Sequence, residues 1–213
     1  PNKLEYGLRA AGALGYIALA GMDSVTVTAL GNAERGNGKP GYFAPHRGKQ
    51  SANALFTFLE TFLPQNTAPP PSFPGSPAPL APNIQSYAAR ATSPGPAIII
   101  SDLFEPTSQY PQGTTFPNHP INHSLNALAA KGFEVTLLHT LSQDEVNPDL
   151  TGDLKLLDSE SGTEIEITAD FDLLQRYRNG LTEWKNELRR FCGARGMHYV
   201  PVETTVPLEE LLF

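Results

Sequence analysis

The segment PAIIISDLF, residues 96–104, constrains the fold more than any other stretch of this chain. Ala97, Ile98, Ile99 and Ile100 are four apolar residues in a row. A strand with one wet face alternates, so this run calls for cover on both faces, as inside a parallel sheet. Parallel strands need long crossovers, usually helices. The flanking chain supplies them. HSLNALAAK, residues 123–131, reads as a helix ended by Gly132, and FEVTLLHTL, residues 133–141, as the next strand. Residues 153–170 form a hairpin turning at Ser161-Gly162. Residues 171–192 then place Leu174, Tyr177, Leu181, Trp184, Leu188 and Phe191 on one face of a long helix capped by Asp170. MHYVPVET makes a last strand and PLEELL a last helical turn. The expectation is an α/β domain with a mostly parallel sheet flanked by helices. PAIIISDLF and FEVTLLHTL take its middle.

The first half begins with LEYGLRAAGALGYIALAGM, residues 4–22, a helix apolar nearly all round whose Ala and Gly let it lie close to a sheet. SVTVTAL, residues 24–30, alternates as a strand does. The turn chemistry of residues 31–41, with Asn37-Gly38 as a hairpin tip, leads to a second extended piece, Tyr42-Phe43-Ala44. This N-terminal hairpin is expected towards one edge of the sheet. Residues 51–62 read as a helix with Ser51 as N-cap. Residues 63–82 contain eight prolines, so 64–82 is expected to be an extended surface excursion within a single domain spanning 1–213. A short helix near 84–91 follows.

Composition excludes several classes. One cysteine, Cys192, rules out an internal disulfide and multi-cysteine metal sites, and a reducing, cytoplasmic setting fits it. Net charge is −7, against a non-specific nucleic-acid binder. The charge is uneven: residues 1–100 carry 7 basic and 4 acidic groups, while 101–213 carry 8 and 18. The most apolar stretch, residues 10–22, has 13 residues and falls short of the ~20 of a membrane span.

Few motifs carry chemistry. Gly38-Lys39 is followed by Pro40, and Ala33 stands where a phosphate loop needs glycine, so a hairpin turn is the better reading. His119 and His123 are four apart, but Pro120 intervenes and no Glu follows His119, which favours a cap or loop over a metal pair. No G-x-S-x-G elbow exists, and Cys192 beside Phe191 reads as a packed thiol. Asp102, at the carboxyl end of the buried strand, and Glu105 in the following loop remain. Ligands in open α/β sheets bind just outside such strand ends, and two carboxylates there suit a hard cation such as magnesium. A loop-fixing Asp is the equal alternative.

IIISDLFEP, LLDSESGTEIEI, the 177–192 helix, HYVPVET and PLEELL, in that order, together with KLEYGLRAAGALGYIALAGMDSVTVTALG, resemble family 58 of the bacterial domains of unknown function. The resemblance covers nearly the whole chain. It implies a von Willebrand factor A-like, Rossmann-type sheet with an N-terminal hairpin and an extra hairpin before the long C-terminal helix. The adhesion-type metal site of such modules matches here only at Asp102, with Glu105 at a common second acidic position. The Asp-x-Ser-x-Ser loop is absent: LDSES, residues 157–161, has Glu160 where serine is needed, and residues 47–51 lack Thr. That loop and its strand are expected before Pro1, so the chain reads as a module truncated at both ends.

The implied function is a non-enzymatic protein-interaction module, partner of a MoxR-type AAA+ ATPase in an assembly or chaperone-like system. No cofactor is expected in this chain, and Mg2+ only in the full-length protein, which in many members is membrane-anchored through N-terminal helices. The alternative is a metal-assisted hydrolase at the carboxyl end of the sheet.

Overall fold

The computed structural model describes residues 2–30, 41–63, 80–104, 119–157 and 164–212. The chain forms two compact units, one from residues 1–74 with 204–213 and one from residues 75–203.

The first unit opens with α1, Lys3–Ala20, capped by Asn2, whose Oδ1 accepts from the Glu5 amide at 2.7 Å. Strands β1, Val25–Thr28, and β2, Tyr42–His46, pair antiparallel with Val27 opposite Phe43. A 3-10 turn at Lys49–Ser51 leads into α2, Ala52–Glu60. Leu19, Val25, Phe43, Ala52, Leu55 and Leu59 form the core. The glycines of α1 admit α2 rather than a sheet. A Cβ at Gly15 would lie 2.6 Å from Leu55 Cδ2, and one at Gly12 would touch Leu59 and Phe56. Ser51 stands at the N-cap position of α2 as expected, but its side chain makes no capping bond: it has helical dihedrals within the 3-10 turn, and its hydroxyl donates to the Arg47 carbonyl at 3.1 Å. The hairpin tip at Asn37-Gly38 is outside the described residues.

In the second unit, α3 spans Leu80–Arg90, β3 Pro96–Ser101, α4 Pro120–Ala130 and β4 Glu134–Leu141. A short α5, Gln143–Val146, carries a capping box between Ser142 and Glu145 that sequence reasoning missed. The hairpin β5, Gly152–Leu157, and β6, Glu164–Ala169, precedes α6, Phe171–Gly193, and β7, His198–Glu203. Residues 204–212 return to the first unit, where α7, Leu208–Leu212, lies against α1.

Strands β3, β4 and β7 make a parallel sheet in that order. Its register sets Ile99, Leu137 and Tyr199 side by side. Ile84 and Ala88 of α3, Leu125 and Leu128 of α4, and Leu188, Phe191 and Cys192 of α6 pack with Ile99, Val135 and Leu137. The α/β character and the helix-flanked parallel sheet agree with the sequence expectation.

Two placements do not. The middle strand is β4 alone; β3 is an edge strand among the described residues, and Ile98 is 45% exposed. Apolar continuity reports which faces are covered, whereas the number of hydrogen-bonded neighbours is not written in side chains. The β1–β2 hairpin is also no edge of this sheet; among the described residues it pairs only within itself. Helix α3 starts at Leu80, so residues 80–82 of the proline-rich stretch are helical, with Pro82 in the first turn where no amide partner is lost. Residues 64–79 are outside the described residues.

Asp170 caps α6 as its sequence predicts, its Oδ1 accepting from Leu173 N at 2.7 Å. Asp170→Ala should cost about 1 kcal/mol of stability, read from urea unfolding, and Asp170→Ser should restore most of it.

Candidate functional site

Strand β3 ends in a tight turn that determines where Asp102 stands. Ser101 Oγ accepts from the Leu103 amide at 3.0 Å, and Asp102 Oδ1 accepts from the Phe104 amide at 3.2 Å. These short side-chain-to-backbone bonds fold the chain over at the strand end. Leu103 takes φ of 59°, a left-handed conformation costing a non-glycine residue about 1–2 kcal/mol. Its side chain, 2% exposed, belongs to the main core, and that burial offsets the strain. Phe104 stacks on Trp184 of α6, with ring centroids 5.2 Å apart.

A second tie comes from His139 on β4, opposite Ser101 in the register. Its Nε2 lies 3.0 Å from the Asp102 carbonyl oxygen and its Nδ1 2.8 Å from the Tyr199 hydroxyl. A carbonyl only accepts, so Nε2 carries the proton and Nδ1 accepts from Tyr199. The edge of Trp184 closes over the ring at 4.9 Å. Burial lowers the His139 pKa from 6.5 to about 4, against the opposing pull of the Asp102 carbonyl bond and carboxylate. The ring is neutral, with both nitrogens committed. Burial likewise pushes the Tyr199 phenol up, while Arg189 beside its ring pulls the other way.

The arrangement is a braced acidic turn: a half-buried Asp102 followed by a buried Leu103 and an exposed Phe104. Both sequence alternatives for Asp102 involve this turn, and its carboxylate does fix the loop. Glu105 is outside the described residues, as are the glycine-rich stretch 31–40 and most of the LDSES segment. His119 is the N-cap of α4, its Nδ1 accepting from Ile121 N at 3.3 Å, while His123 sits exposed in the first turns of that helix. Cys192 is fully buried, and burial lifts its thiol pKa to about 11, so it is a packed side chain. His139 was missed by sequence reasoning. The available signal was one imidazole in the otherwise apolar run of FEVTLLHTL, which marks a polar group that must find buried partners.

Among the described residues no group of three His, Cys, Asp or Glu side chains converges as a metal site, and no helix is long and apolar enough to cross a membrane. No family model, curated protein or solved structure matches the chain.

Proposed function

We propose that this chain is a non-enzymatic protein-interaction module that offers the braced turn after β3 to a protein partner, a MoxR-type AAA+ ATPase, in an assembly or chaperone-like system. The observation that carries this reading is the turn itself. A carboxylate and an exposed aromatic ring are held at the carboxyl end of a parallel sheet by a strained, buried leucine and a histidine bond. Such preorganisation favours recognition, because little freedom is lost on binding. The nearby histidine has both nitrogens engaged and the thiol is sealed, which supports binding over catalysis.

The finer fold belongs to the same reading. A von Willebrand factor A-like module has a further strand beside the counterpart of β3, and its serine-rich ligand loop follows that strand. Magnesium does not fit the described donors. Asp102 brings one carboxylate with one oxygen already taken by Phe104 N, whereas a hard cation needs about six oxygens in near-octahedral array.

Calorimetric titration of magnesium into residues 1–213 should therefore show no binding tighter than millimolar. Tight binding by the present chain overturns this assignment. The interaction itself is tested by sedimentation of the chain with the MoxR-type ATPase of the same source, with and without Asp102→Lys. Loss of co-sedimentation in the variant supports the reading. A hydrolytic activity that disappears in Asp102→Ala would replace it with the hydrolase.

A further inference from the structure

We draw no further inference here: the strongest candidate, the outer edge of β3, which has no strand neighbour among the described residues and leaves Ile98 45% exposed, carries nothing because no observation in the structure shows what covers it.

Discussion

Acidifying the protein from neutrality to pH 4 should remove about 3 kcal/mol of folding stability through His139 alone. The imidazole pKa is 6.5 ordinarily and about 4 in the fold, with burial as the largest cause. Between those values the unfolded chain takes up a proton that the folded chain refuses, so unfolding gains as pH falls. The loss begins as pH drops through about 6.5 and is complete near 4; above 6.5 the group adds no pH dependence. The charges that face the ring are the Asp102 and Glu145 carboxylates, which favour its cation, and Lys185, which opposes it. Burial outweighs the carboxylates. The neutral ring also holds the Asp102 carbonyl, so the same acidification should loosen the turn after β3. His139→Gln keeps a donor and an acceptor without a titrating ring. Urea unfolding across this window should show its slope against pH flatter than that of the unmutated chain by nearly one proton. Carboxylate titrations are common to both proteins and cancel in the difference. Equal slopes would mean that His139 is already solvated in the fold.

Leu137→Ala should be the most damaging single truncation in the parallel sheet, at about 3–5 kcal/mol. Leu137 is fully buried on the middle strand, with β3 on one side and β7 on the other and the helices α3, α4 and α6 contributing to the core it joins. The cavity left there has rigid walls on every side and collapses poorly. Ile98→Ala, one strand away, should cost less than about 1 kcal/mol because nearly half of that side chain is already in water. Chemical denaturation of the two variants side by side measures the contrast. Comparable losses would place Ile98 in a covered core and restore β3 to the interior of a larger sheet.

Much of the local structure is legible before any coordinates. Asp170 with the heptad-like seam of α6 announces both the start and the buried face of that helix, because a cap and a period are properties of adjacent residues. The same holds for the β5–β6 ribbon and for β4, whose apolar run is almost wholly buried. Ser51 takes the N-cap position its sequence predicts, but its hydroxyl turns back to the Arg47 carbonyl instead of capping, because the residue is also part of a 3-10 turn. The candidate site was half visible. Asp102 follows from the rule that strand ends collect ligands, but His139 lies 37 residues further along the chain and Tyr199 60 residues beyond that.

The sequence by itself determined most of the helix and strand segments, that strands alternate with helices in a parallel α/β arrangement, and that Cys192 is a packed thiol. Each is written in nearest-neighbour spacing, side-chain polarity or composition, which need no partner strand to be interpreted. Only the tertiary structure decided that β4 rather than β3 is central, that the glycines of α1 admit α2, and that Leu103 is held left-handed beneath a histidine bond. Those outcomes depend on which distant backbone edges and side chains meet. A strand's own residues specify its faces and leave its neighbours open, so the pairing is settled only when the whole core closes.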